Sequence, residues 1–228
     1  MLIRDWMTRE VITVEAETSM LKAGKLMKEH DIRRLPVLDA EKRVIGIVSD
    51  RDVKAASPSK ATTLDVHEMY YLLSELKIKD IMTPNPLTIG PTDTVENGAL
   101  LMQEKGFGGL PVVDDKGKLV GIITDHDVFK VLVSITGVHL GGVQLAFCLE
   151  DKPGTMRPIF DVLRDHKARI VSILSANNER NMDGDCICER NVYVRIRPME
   201  KEAEDALVKE LKERFNLVYW VRGKVYVD

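Results

Sequence analysis

The apolar positions change their period in a fixed order, and the chain does this twice. Val11 to Val14 predicts a short β-branched strand, and after Thr18 the residues Met20, Ala23 and Met27 return at helical spacing. Next comes a strand opened by Pro36, where a missing N–H is tolerated at a first position or on an edge. The turn segment DAEKR then leads to the apolar run VIGIV, a hairpin by pattern, and a second helix begins at Asp50. At a constant offset of 75 residues the order recurs without a gap over residues 78 to 128. IRDWMT becomes IKDIMT, Leu35-Pro36-Val37-x-Asp39 becomes Leu110-Pro111-Val112-x-Asp114, and GIVSDRDV becomes GIITDHDV. In the second copy Val95, Gly98, Ala99 and Met102 repeat the helical stripe, with Asp93 and Glu96 placed as a capping box. Each copy therefore reads β-α-β-β-α, too small to bury both faces of its sheet alone, and two copies packed together solve that problem.

Between the copies Pro58 breaks the chain, and residues 65 to 76 predict a packing helix with Tyr70, Tyr71 and His67 on or near a buried face. Beyond Gly137, Gly141 and Gly142 the pattern changes. Residues 143–149 predict a strand, DKPGT a turn, and Met156, Ile159, Phe160 and Leu163 a helix face. Strands follow at 170–175 and 192–196, then a helix carrying Ala203, Leu207, Leu211 and Phe215, then a strand over 218–227 interrupted at Gly223. The order β-α-β-β-α-β is that of a ferredoxin-like unit, with an antiparallel sheet and its helices on one face. Residues 177 to 189 are a polar insertion, expected to form a mobile loop.

Composition narrows the function classes. The 228 residues, 44% apolar and 30% charged with a formal charge of -3, are those of a globular chain of one or two domains. The charge lacks the basic excess that phosphate-backbone binding needs, so nucleic acid is not expected as a partner. No apolar run approaches a membrane span and the charged start is no signal peptide, so neither a membrane nor export is expected and the chain reads as cytoplasmic. Cys148, Cys186 and Cys188 do not make a disulfide framework and are expected as reduced thiols. Two cysteines near Asp183 and Asp185 fall short of the four ligands of a structural zinc site, so no metal is expected. No nucleophile elbow, metalloprotease spacing or Gly-Lys-Ser/Thr phosphate loop occurs, and Gly106-Phe-Gly-Gly runs into Pro111, so nothing marks an enzyme.

The motif that carries chemistry is Gly46-x-x-Ser49-x-x-Asp52 and its copy Gly121-x-x-Thr124-x-x-Asp127. Each sets a hydroxyl and a carboxylate at a strand-to-helix junction. A carboxylate can accept both hydrogens of a vicinal diol, so Asp52 and Asp127 suit a ribose, and Ser49 and Thr124 suit a sugar or phosphate oxygen beside the N–H groups of a helix start. Ser-x-x-Asp and Thr-x-x-Asp are also ordinary capping boxes, and the two roles are compatible.

With the Met-Thr start, the Leu-Pro-Val-x-Asp strand and the Gly-x-x-Ser/Thr-x-x-Asp ending, residues 1 to about 134 resemble a tandem pair of CBS domains. The resemblance implies a pseudo-twofold pair with two clefts that bind adenosine ligands such as AMP, ADP, ATP or S-adenosylmethionine, with Asp52 and Asp127 on the ribose. By position Ile12, Thr13, Leu35 and Pro36 in one copy, and Leu87, Thr88, Leu110 and Pro111 in the other, would border the base. Arg33 and Arg34 become Gly108 and Gly109, and Arg51 becomes His126, so the site using Asp52 is expected to prefer phosphorylated ligands more strongly. Residues 142–228 resemble an ACT domain through Asp151-x-Pro153-Gly154, a turn that in that family often contributes to an amino-acid site. A CBS pair followed by an ACT domain resembles the acetoin utilisation protein family. It implies a regulatory homodimer with an adenosine ligand and an unidentified protein target. The implied boundaries are 1–57 for the first CBS domain, 58–77 for the linker, 78–136 for the second and 142–228 for the ACT domain.

Overall fold

The computed structural model describes residues 1–57, 75–177 and 190–223. It divides into two compact units, Met1–Phe129 and Lys130–Asp228. The predicted packing helix over 65–76 lies outside the described residues except at its end, as do the greater part of the polar insertion and the chain beyond Gly223.

In the first unit, β1 (Val14–Glu15), α1 (Met20–Glu29), β2 (Arg34–Leu38), β3 (Val44–Ser49) and α2 (Asp50–Ala56) form the first copy. The second contains β4 (Thr83–Pro84), α3 (Val95–Lys105), β5 (Gly109–Val113), β6 (Leu119–Thr124) and the start of α4 (Asp125–Thr136), whose residues from Lys130 on belong to the second unit. The expected hairpins are present: β2 pairs antiparallel with β3 and β5 with β6. β1 runs parallel to β2, and its counterpart is a single bridge from Ile89 to Val112. The first strand is thus shorter than the apolar run Val11–Val14 predicted.

Reciprocal contacts bind the copies, each partner standing 75 positions from its equivalent. Ile3 N donates to Asp93 O while Ile78 N donates to Thr18 O, and Val95 N donates to Met1 O while Met20 N donates to Leu76 O. The opening segment of each copy therefore closes the fold of the other. β4 adds to the edge of β3, Thr8 bridges Ile122, and Arg43 meets its own equivalent, Lys118, on the pseudo-twofold axis. Ile3 and Ile78 are fully buried, and Ile78 belongs to the core formed by Val14, Ala23, Met27, Leu35, Val37 and Val48 of the first copy. Neither copy has a complete core without the other, as the repeat arithmetic required.

Two local expectations are corrected. Pro36 and Pro111 stand third in five-residue strands and do not open them. Pro111 O accepts from Ile89 N, so its ring nitrogen faces the same edge, where the bridge begins one residue later and no carbonyl waits for a donor. The cap of α3 is Thr94, whose hydroxyl accepts from Asn97 N at 3.2 Å; Asp93 instead accepts from Gly90 N, and Glu96 pairs with the N-terminal ammonium.

The second unit runs β7 (Val143–Leu149), α5 (Arg157–Asp165), β8 (Ile170–Asn177), β9 (Arg190–Ile196), α6 (Lys201–Arg214) and β10 (Leu217–Arg222), the expected β-α-β-β-α-β order. Its antiparallel sheet has the strand order β10-β7-β9-β8. Val143, Leu145, Phe147, Val192, Val194 and Ile196 pack one face against Ile159, Leu163, Leu207 and Leu211 of the two helices. Cys148 is disulfide-bonded, which corrects the expectation of reduced thiols. It stands on β7 opposite Asn191 of β9, and Cys186 and Cys188, shortly before β9 in the sequence, lie outside the described residues. Among the described residues no helix is long and apolar enough to cross a membrane.

Candidate functional site

The glycine of each repeated motif is required by the other copy. A Cβ on Gly46 would run into the Met82 sulfur, and one on Gly121 would meet Met7 and, at 3.0 Å, the Thr8 carbonyl oxygen. Three residues on, the chain turns from strand to helix, and both motifs close the capping box. Ser49 N and Oγ each donate to Asp52 Oδ2 at 2.7 Å, and Asp52 N donates back to Ser49 Oγ at 3.3 Å. Thr124 N and Oγ1 donate to Asp127 Oδ2 at 3.0 and 2.7 Å. Asp52 is half-buried, whereas Asp127 is 4% exposed. In both motifs the capping bonds fall on Oδ2, so capping engages one oxygen of Asp52 and leaves the other an acceptor.

Asp52 opens into a cleft of about 600 Å³, large enough for a nucleoside with a phosphate tail. Ser49, Asp50, Arg51 and Asp52 enter it from the first copy, and Leu87, Thr88, Leu110 and Pro111 from the second. A carboxylate from one repeat therefore faces the apolar base-bordering positions of the other. Arg33 is exposed and does not line this cleft. Ile12, Thr13, Leu35, Pro36, Thr124, His126 and Asp127 do not line it either; they occupy the equivalent positions 75 residues away. The lining also includes Thr83, Asn85, Lys105 and Phe107, which motif reasoning missed. Phe107, 44% exposed, could have been noticed as a large apolar residue next to the glycine pair.

Arg34 reaches from β2 across to the second copy, where its guanidinium lies on Gly108; any β-carbon there would strike it. Gly106 takes a left-handed conformation (φ 69°) to end α3, which places Gly108 under the arginine. The Gly106-Phe-Gly-Gly segment is thus a helix stop and an arginine seat. Burial pulls the Arg34 pKa below its usual value, opposed by Asp125 and Asp50 and assisted by Arg51 and Arg33. Asp50 is held below the usual carboxylate range chiefly by its hydrogen bond from Lys54. Among the described residues Arg34 makes no hydrogen bond, so its donors are available to an anion in the cleft.

In the second unit Asp151, Pro153 and Gly154 come together in a smaller cleft of about 380 Å³ beside Arg190, whose Nη1 lies 3.4 Å from Asp151 Oδ1. Gly154 has φ 86°, a left-handed turn that favours glycine.

Duplicated β-α-β-β-α modules that exchange their opening segments and enclose a carboxylate-bearing cleft define a class of tandem paired modules. The chain matches the CBS domain over residues 3–59 and 78–134. It belongs to the CBS-domain family. It is 33% identical over 134 residues to a CBS domain-containing protein of Dictyostelium discoideum, covering 59% of this chain and 92% of that one. The crystal structure of the CBS-pair protein CBSX2 from Arabidopsis thaliana is 32% identical over 60% of this chain and 96% of its own, with a TM-score of 0.53. A structure from Vibrio cholerae, named as an acetoin utilization protein (AcuB), is 32% identical over 60% of this chain and 94% of its own, with a TM-score of 0.50. An inosine-5'-monophosphate dehydrogenase of Korarchaeum cryptofilum is 39% identical over 121 residues, but the match spans only 22% of that enzyme. The CBS match ends at residue 134, ahead of the C-terminal sheet.

Proposed function

We propose that the chain is a non-catalytic regulatory protein that senses an adenosine ligand in the cleft at Asp52. The observation that supports this most is the convergence of the Ser49–Asp52 pair from one copy with Leu87, Thr88, Leu110 and Pro111 from the other. A diol on the carboxylate and an aromatic base between apolar walls fit that arrangement. Arg34, Arg51 and Lys105 around the same cleft favour a phosphorylated ligand, AMP, ADP or ATP, over the cationic S-adenosylmethionine. The place equivalent to Arg34 is Gly109, buried in β5, so the site using Asp127 lacks that cation.

The second unit is, in this reading, an ACT-type ferredoxin-like domain that pairs in a cytoplasmic homodimer and relays the ligand state to a protein target, with an amino acid at Asp151, Pro153 and Gly154. Such relay is allostery only if nucleotide and target change each other's affinity, typically by about 1 to 3 kcal/mol. The observed capping bonds favour a competing reading, a scaffold in which both carboxylates only hold helix starts. Thermal unfolding with AMP, ADP, ATP, adenosine and S-adenosylmethionine separates the two, since a ligand bound to the native state raises its midpoint. A chain that none of them stabilises is the scaffold.

A further inference from the structure

Arg195 of β9 is 8% exposed. It alternates with Val194 and Ile196, which pack against the helices, and so stands on the opposite face of the sheet. Its guanidinium donates to Gln144 Oε1 at 2.8 Å and to Gly141 O at 3.4 Å, and both acceptors are neutral. Among the described residues no carboxylate pairs with it. Among the described residues of this unit the other buried charge, Glu204 at 1% exposure, has its counter-ion in Arg222 at 2.7 Å. A buried cation without a counter-charge carries a desolvation cost that two neutral acceptors offset only in part.

Arg195 lines a cavity of about 280 Å³ contained within the second unit. Tyr193 joins it from the same strand, Ser172 from β8 and Gln144 from β7. Ser172 Oγ donates to Thr136 O, which commits its hydrogen and leaves its oxygen an acceptor. The remaining walls are apolar: Leu132 and Val133 of α4, Val138 and Leu174, each at least 36% exposed.

We propose that this cavity binds a small monocarboxylate whose short aliphatic tail lies against Leu132, Val133, Val138 and Leu174. One guanidinium matches one carboxylate in charge and in its planar fork. The volume is below the usual range for nucleotide or drug-sized ligands and sufficient for a few carbons. One guanidinium among four apolar walls suits a monoanion with an aliphatic tail better than a phosphate dianion, whose second charge would have no cation beside it. The site is distinct from the Asp151–Gly154 turn and does not depend on the adenosine reading.

The probes are sodium butyrate and sodium hexanoate, with butan-1-ol as the uncharged control and inorganic phosphate as the alternative anion, on the full chain. Millimolar butyrate or hexanoate should raise the thermal midpoint while butan-1-ol and phosphate do not. Leu174→Trp, at an exposed wall, should fill the cavity without lowering the unliganded midpoint and weaken carboxylate binding at least about tenfold by calorimetry. Arg195→Gln should remove the response as well, and if that variant does not fold, Leu174→Trp alone decides. A wild-type chain indifferent to the carboxylates, an equal response to phosphate, or undiminished binding in Leu174→Trp would overturn the assignment.

Discussion

Under the proposed function Asp52 both caps a helix and holds a ligand, and Asp52→Asn separates the two tasks. In the structure Oδ2 accepts from the Ser49 amide and hydroxyl, both at 2.7 Å. The amide oxygen of asparagine can replace that oxygen toward the backbone N–H, so the cap survives and the stability cost should stay below about 1 kcal/mol. The other carboxylate oxygen becomes an NH₂ group, which cannot accept from a ribose hydroxyl. A hydrogen bond to a charged group contributes about 1.5 to 3 kcal/mol, so an adenosine ligand should bind roughly 10- to 150-fold more weakly. Asp52→Ala removes cap and acceptor together and should add about 1 kcal/mol of destabilisation to the same binding loss.

Calorimetric titration with AMP and urea unfolding of the same preparations read the two quantities separately. Asp127→Asn supplies the internal control: Asp127 does not line this cleft, so the affinity of the Asp52 site should be unchanged. The argument fails if Asp52→Asn binds AMP as tightly as the unaltered chain, because the carboxylate would then be a cap and nothing more.

Four further outcomes follow from particular contacts. Arg34→Ala should weaken ATP and AMP binding but leave adenosine unchanged, and Gly108→Ala should do the same by displacing the guanidinium from its seat, both read by calorimetry. Gly121→Ala should destabilise by about 1 to 3 kcal/mol and Gly46→Ala by less, because the added methyl meets the Thr8 backbone in one case and only a flexible Met82 side chain in the other; urea unfolding compares them. Arg222→Met should lower the thermal midpoint more than Glu204→Gln/Arg222→Met together, since the single change leaves a buried carboxylate without its partner. Glu210 is held below the ordinary glutamate range by hydrogen bonds first from His166 and then from Arg214. Its stabilisation is therefore present above the unfolded glutamate pKa and lost as pH falls through the lowered folded value, so Glu210→Gln should differ from the unaltered chain at neutral pH and converge with it in acid.

What the sequence disclosed and what it withheld divide along one physical line. Elements repeated at a constant offset were legible, because the same apolar period must bury the same faces in both copies: α1, β2, β3 and α2 recur as α3, β5, β6 and α4. The paired hydroxyl and carboxylate at each strand-to-helix junction were legible for the same reason, as was the β-α-β-β-α-β order of the second unit from its alternating strands. How the two copies combine their residues in the Asp52 cleft was not. A motif is read along the chain, whereas Arg34 lies on Gly108, and Asp52 shares a cleft with Leu87, across the pseudo-twofold axis. The glycines that replace Arg33 and Arg34 in the second copy looked like a deletion of charge from that copy's own site. In the fold, Gly108 is the space that admits the first copy's arginine, so a single substitution pattern both removes a cation from the second copy and fixes one in the Asp52 cleft. Two duplicated halves thereby present different charge around equivalent positions, and the difference is set by which side chains cross the axis.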